Sequence, residues 1–275
     1  MKIFSKIIAL VIVLSMVLCI APSVYAADIP ELEEYGFVDC GDVKIEYGIY
    51  GLDDGEPLLL LPPNGNDMHS FDGNILPEMS KHFKVITVSP RGTGKSGWAE
   101  GTMNFETMSD DLVKLLDYLE IEKTNIFGFS DGGNLGIVFT LEHQERVKAL
   151  AIMGSNINTL GTNTIDQIGI TIKYTYLCIK ALITGDEKDK IERDIEGMMV
   201  GQPSLTFKDI SAIKVPVLNI YGENDMIQRW HSKMITRSID GAKEIMIVGG
   251  GHSSCFDYTE TVINPALLEF YGVTV

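Results

Sequence analysis

The chain has 275 residues, 45% of them hydrophobic, and sets 38 acidic against 22 basic side chains for a net charge of −16. That length supplies one large α/β domain with a full hydrophobic core. The acidic balance argues against nucleic acid and against anionic membrane surfaces as partners, because both are gripped by clustered Lys and Arg.

Residues 1–26, MKIFSKIIALVIVLSMVLCIAPSVYA, read as a secretory signal peptide. Lys2 and Lys6 precede an apolar run from Ile7 to about Ala21, and Val24, Tyr25 and Ala26 form the cleavage pattern. The run is about 15 residues, short of the ~20 that cross a bilayer. Cleavage is expected after Ala26, giving a secreted, extracytoplasmic protein without stable membrane insertion; an uncleaved anchor is the alternative. Bulky Leu18 before Cys19 argues against a lipid-anchored cysteine. Losing Lys2 and Lys6 leaves 20 basic residues against 38 acidic ones, a charge of −18. Cys40, Cys178 and Cys255 then remain, and an odd number cannot all pair; one disulfide is possible and none is the expectation.

Beyond that segment, short apolar runs recur in order: VKIEYGIYG, PLLLL, KVITVS, TNIFGF, VKALAIMGS, VPVLNIYG and EIMIVGG. Most are too continuously apolar for a strand with one wet face and suit a sheet covered on both sides. Between them lie segments of helical period. In Met108 to Leu119 the residues Met108, Leu112, Leu115, Leu116 and Leu119 share a face, and Asn134 to His143 and Thr259 to Phe270 read similarly. Alternating strands and helices predict a doubly wound, mostly parallel sheet flanked by helices.

The alternation breaks from about Asn156 to Ile213, where only two helical stretches occur, around ITIKYTYLCIKALI and DEKDKIERDIEGMMV. The predicted organisation is therefore a core of residues 27–155 and 214–275 with a helical cap at 156–213. In the cap, Ile170, Ile172, Tyr174, Tyr176 and Leu177 are candidates to roof a pocket, or simply core residues at helical spacing.

Ser89 to Gly97, SPRGTGKSG, follows the strand KVITVS and looks like a phosphate-binding loop. Such a loop needs Gly, four residues, then Gly-Lys-Ser/Thr. Counted back from Gly94-Lys95-Ser96, the first position is Ser89, and GWAEGT follows where a helix should begin. Nucleotide binding is not expected here.

The informative stretch is Asn125 to Gly133, NIFGFSDGG. Gly128-Phe129-Ser130-Asp131-Gly132 matches G-x-S-x-G between a strand and a helix, the setting of a nucleophile elbow. A serine hydroxyl needs a base, and the base needs a partner that holds its tautomer. The chain order for this fold is Ser, Asp or Glu, then His. Asp225 in YGENDM follows VPVLNIYG, and His252 in GGGHSS follows EIMIVGG, so all three belong at strand C-termini, where open α/β sheets place ligands. Glu223 is the alternative acid. His69 and His143 read as surface histidines, and Cys255 as a packing thiol.

With these motifs in view, residues from about Gly36 to Gly272 resemble the α/β-hydrolases, of the single-domain, small-esterase and haloperoxidase-like kind. The resemblance makes Arg91-Gly92-Thr93-Gly94-Lys95-Ser96 the family's Arg-Gly-x-Gly-x-Ser turn after the fourth strand. It implies an oxyanion hole of two backbone amides, that of Asp131 and one following a His-Gly pair. Here Asn64-Gly65-Asn66 replaces that pair and points to the amide of Asn66. The elbow Gly-x-Ser-Asp-Gly-Gly is also similar to that of valacyclovir hydrolase-like enzymes. That implies a substrate-binding role for the Asp131 side chain toward a cationic ester, beside the plainer reading that a carboxylate is favoured at a helix N-terminus.

The expected chemistry is hydrolysis of a small carboxylic ester by Ser130, His252 and Asp225 through an acyl-enzyme. No metal or organic cofactor is expected, and the partner is a small acyl substrate. Amidase, lactonase and cofactor-free perhydrolase activity would use the same residues, and a non-catalytic ligand-binding protein of the same fold is the alternative of a different class.

Overall fold

A computed structural model describes residues 29–274; the expected signal segment lies outside the described residues. Eight strands form one sheet: β1 Leu32–Asp39, β2 Lys44–Gly51, β3 Glu56–Leu61, β4 Phe83–Ser89, β5 Thr124–Phe129, β6 Val147–Met153, β7 Val217–Gly222 and β8 Lys243–Ile247. Their spatial order is β1-β2-β4-β3-β5-β6-β7-β8. β1 and β2 run antiparallel to their neighbours and β3 to β8 are parallel. This is the doubly wound, mostly parallel sheet that the unbroken apolar runs predict. In β5 and β7 every residue is buried, because helices cover both faces.

The helices are α1 Leu76–Met79, α2 Phe105–Tyr118, α3 Asp131–Glu142, α4 Thr164–Thr184, α5 Glu187–Gly201, α6 Phe207–Ile210, α7 Arg229–Ser238 and α8 Asn264–Phe270. On one face of the sheet, α2, α3 and α7 pack through residues such as Leu112, Leu115, Ile137 and Ile235; on the other, α1 and α8 pack through Leu76, Met79 and Leu267. Helix α2 starts three residues before its apolar period does, since the Asn104 side chain accepts a hydrogen bond from the Thr107 amide at 2.7 Å and caps it. The C-terminal helix is shorter than its period suggests. Residues Ser254–Tyr258 form a 3-10 turn and Thr259–Ile263 a π turn before α8, whose first turn holds Pro265, a residue that cannot donate into a preceding α ladder.

Between β6 and β7 stand α4, α5 and α6. Asn163 caps α4, accepting from the Asp166 amide at 3.1 Å, and Gly185 ends it in the left-handed conformation. Thr206 and Asp209 form a reciprocal capping box on α6. Helices α4 and α5 pack together, with Leu177 and Ala181 of α4 and Met198 of α5 buried.

The segment that imitates a phosphate loop turns back on β2 instead. The Lys95 amide donates to Glu46 Oε2 at 2.8 Å, and the Ser89 hydroxyl donates to the same oxygen at 2.7 Å. Burial pushes the Glu46 carboxyl up, but the hydrogen bonds from Lys95, Tyr35 and Ser89 outweigh it and leave it low. A carboxylate of the chain itself thus occupies the turn. Arg91 in the same turn is fully buried, with its guanidinium donating to Asp111 and, at 2.6 and 2.9 Å, to Asp42.

Candidate active site

Ser130 joins β5 to α3 in one residue, with φ 55° and ψ −122°, a conformation that a non-glycine residue adopts only under local constraint. The constraint comes from its neighbours. A β-carbon on Gly128 would lie 2.3 Å from the Gly132 carbonyl, and one on Gly132 only 2.0 Å from the Leu61 carbonyl, so both positions exclude side chains. The Ser130 amide donates to Met153 O at 2.8 Å and ties the turn to β6.

Asp225 follows β7 and His252 follows β8, and parallel pairing of these strands brings both to the edge where β5 delivers Ser130. His252 Nδ1 is 2.7 Å from Asp225 Oδ1, and His252 Nε2 is 3.0 Å from Ser130 Oγ. The Ile227 amide donates to the same Asp225 oxygen at 2.9 Å, and the Asp225 side chain is fully enclosed. The Phe129 ring lies 5.0 Å from the imidazole, with Phe256 packed edge-on against Phe129. The alternative acid, Glu223, instead accepts from the Gly249 amide at 3.1 Å and approaches Arg229.

These side chains open on a cavity of about 300 Å³ that Asp131, Asn156, Ile170, Glu196 and Met199 also line. Of the five cap residues expected as a roof, Ile170 lines the cavity. Leu177 is buried between α4 and α5, Tyr174 packs over Gly197, and Ile172 and Tyr176 point to solvent on the outer side of α4. Helical period alone groups residues by face; it does not say which face meets the cavity.

The expected oxyanion donors fare differently. The Asp131 amide sits in the first turn of α3, where no intrahelical acceptor exists, and has no partner among the described residues. The Asn66 amide does not match its expected role: it donates to Pro63 O at 3.1 Å, and the Asn66 side chain donates to Asn64 O at 3.0 Å, so a tight turn consumes it. Among the described residues the amide of Asn64 has no acceptor, and Asn64 also lines the cavity. The missed signal was Pro62-Pro63, which ends β3 two residues before the Asn-Gly pair.

The Asp131 carboxyl accepts from Asn64 Nδ2 at 2.8 Å and Asn134 Nδ2 at 2.9 Å. Burial pushes its pKa up to about 6 against those two hydrogen bonds, and the neighbouring Glu196 pushes the same way. Glu196 is buried and paired with Lys173 at 2.6 Å. Asn64 Nδ2 donates as well to Ile195 O of α5 at 2.9 Å, which links the loop after β3 to the helices above the cavity. The Cys255 thiol is buried against Gly251 O at 2.9 Å, and burial lifts its pKa to about 12, so it stays a thiol. His69 is exposed beside Asp72, and His143 packs on Phe139. Among the described residues no three His, Cys, Asp or Glu side chains converge to hold a metal ion.

A family model described as alpha/beta hydrolase fold matches residues 56–177. The chain is 33% identical over 104 residues to a 2-hydroxymuconate semialdehyde hydrolase of Pseudomonas sp. strain CF600, a match covering 37% of each chain. The chain therefore spans under two fifths of that relative's length. It is 23% identical over 225 residues to the human serine hydrolase BPHL, covering 77% of each. The solved structure of naproxen esterase from Bacillus subtilis superposes with a TM-score of 0.69 at 17% identity, over 91% of this chain and all of that one. Sheet order, strand-end placement of Ser130, Asp225 and His252, and these likenesses agree: the chain has the α/β-hydrolase fold.

Proposed function

We propose that the protein is a serine hydrolase that cleaves a small carboxylic ester, or a related acyl bond, through an acyl-enzyme on Ser130. The single observation that carries this reading is the continuous hydrogen-bonded line from Asp225 through His252 to Ser130. Relatives named as hydrolases, one of them a serine hydrolase, support it.

In this mechanism Asp225 keeps the proton on His252 Nδ1, leaving Nε2 to take the Ser130 proton as Oγ attacks the carbonyl carbon. The tetrahedral oxyanion is received by the amides of Asp131 and Asn64, the latter taking the place first assigned to Asn66. One such donor is worth about 10²–10³ in rate. His252 then protonates the leaving alcohol, and water, deprotonated by His252, releases the acid.

A finer reading is that the ionised Asp131 attracts an ester bearing an ammonium group, with Glu196 as a second carboxyl on the cavity wall. Export through residues 1–26 rests on the sequence of that segment.

The test is hydrolysis of p-nitrophenyl esters from acetate to octanoate and of an aminoacyl ester, beside Ser130→Ala. Turnover that disappears in the variant supports the proposal, and the chain-length profile sizes the cavity. Turnover that survives in Ser130→Ala overturns it. A folded protein that turns over none of these esters, and that a fluorophosphonate does not label, is read as the non-catalytic binding protein.

A further inference from the structure

We infer that the outer face of α4 is the two-fold interface of a dimer of this chain. A helix that is apolar on every side belongs in an interior. Helix α4 already buries Leu177 and Ala181 against α5, yet its opposite side carries Ile165, Ile168, Ile172, Tyr176, Ile179 and Ile183, each between 53% and 82% exposed. Their spacing of three and four residues makes one straight stripe. From Ile165 to Ile183 it runs about 27 Å.

The stripe is nearly a palindrome. About a centre near residue 174, Ile165 corresponds to Ile183, Ile168 to Ile179, and Ile172 to Tyr176. Two copies laid antiparallel therefore set each of these residues opposite its counterpart, which is the self-complementarity that an isologous interface demands. An open groove beside Ile168, walled by Leu160 and Trp230, lies on the flank of the stripe that also carries Leu182, itself 85% exposed. Two-fold symmetry about an axis crossing the helices sends that flank onto itself, so Leu182 of the other copy meets the groove. A standard interface takes roughly 800 Å² from each partner, and on this face Leu160, Leu182 and Trp230 add exposed apolar side chains to those of the stripe.

Charge favours a second copy over a lipid surface. The lysines of α4 turn toward α5, Lys173 to Glu196 at 2.6 Å and Lys180 to Asp189 at 2.7 Å and Glu192 at 3.0 Å. The stripe itself is uncharged, so two copies meet there without direct repulsion despite a net charge of −16 each. Helices that lie on membranes flank their apolar face with free Lys and Arg, which α4 does not offer.

Sedimentation velocity over a hundredfold range of protein concentration tests the inference. The expected result is a dimer that Ile172→Glu combined with Ile179→Glu weakens by at least about thirtyfold, with a melting temperature that matches wild type at concentrations where both are monomeric, because both positions are exposed. Val248→Glu, in the exposed turn just after β8, is expected to leave the dimer intact. A monomer at every concentration overturns the inference, as does a dimer that survives the α4 variant. Flotation of a monomeric protein with phosphatidylcholine vesicles also overturns it and assigns the stripe to lipid.

Discussion

Gly154 lies directly beneath His252: a β-carbon on Gly154 would stand 3.0 Å from His252 Cε1 and 3.3 Å from Asp225 Oδ2. The residue follows β6, has φ +59°, and closes the wall on which the imidazole and carboxylate rest. Gly154→Ala is expected to push the ring off its line to Ser130. A misplacement near 1 Å costs on the order of 10²-fold in rate, and the left-handed backbone adds about 1 kcal/mol of strain. Lower kcat with little change in KM on p-nitrophenyl acetate is the expected outcome; full activity would show that the ring does not need this support.

Asp225 and Glu223 are separated by one residue, but only Asp225 reaches His252. Asp225→Asn is expected to lower kcat by about 10⁴, as loss of the tautomer-holding acid does in serine hydrolases. Glu223→Gln should leave kcat nearly unchanged. A reversed order would move the acid to Glu223.

Asp131 titrates near pH 6 because burial disfavours its charge. Its folded pKa is above the ordinary 3.8, so the stability it allows is complete below about pH 4 and is lost as pH rises through about 6. Two units correspond to about 3 kcal/mol. Asp131→Asn is therefore expected to raise the melting temperature at pH 8 and to be neutral at pH 4. The same substitution should erase any preference for an aminoacyl ester over a neutral one of equal size; a preference that persists would leave Asp131 a purely structural carboxyl.

His231 behaves in the opposite sense. It is completely buried, accepts the Ile157 amide at Nε2 at 3.1 Å, packs against Phe207 and Trp230, and is held neutral by burial, with its pKa lowered to about 4. The unfolded chain takes up this proton near pH 6.5, so stability is lost as pH falls from about 6.5 toward 4, by about 3 kcal/mol in all. Thermal melts of wild type and His231→Gln across that window check it. The variant should show the shallower acid loss.

Arg91 is enclosed with Asp111, and both are almost fully buried, while Asp42 closes the pair from a more exposed position. Arg91→Leu leaves the buried Asp111 without its counter-charge and is expected to destabilise the fold by about 3–5 kcal/mol, read by urea denaturation. Removing Arg91 together with Asp111 should cost less than removing Arg91 alone.

The parts of the fold legible in the sequence were those written in short range. Leu58 to Leu61, Ile126 to Phe129 and Ala149 to Met153 are unbroken apolar runs, and only a strand covered on both faces uses such a run. The exposed edge strand β1 and the mostly polar α7 carry no such pattern, and both went unread. β1 is held by pairing with β2 rather than by its own side chains. The buried His231 was missed for the same reason, since its burial comes from Phe207, Gly161 and Ile157, all distant along the chain.

By itself the sequence determined that a doubly covered parallel sheet forms and that Ser130, Asp225 and His252 follow three of its strands, because apolar runs and a Gly-rich turn are local commitments of the backbone. Tertiary structure alone decided which amide after β3 remains free, that the Gly-rich turn after β4 holds Glu46, and which side of α4 meets the cavity. Those outcomes depend on which groups find partners across the fold, and a hydrogen bond or a buried face is shared between segments that the linear chain keeps far apart.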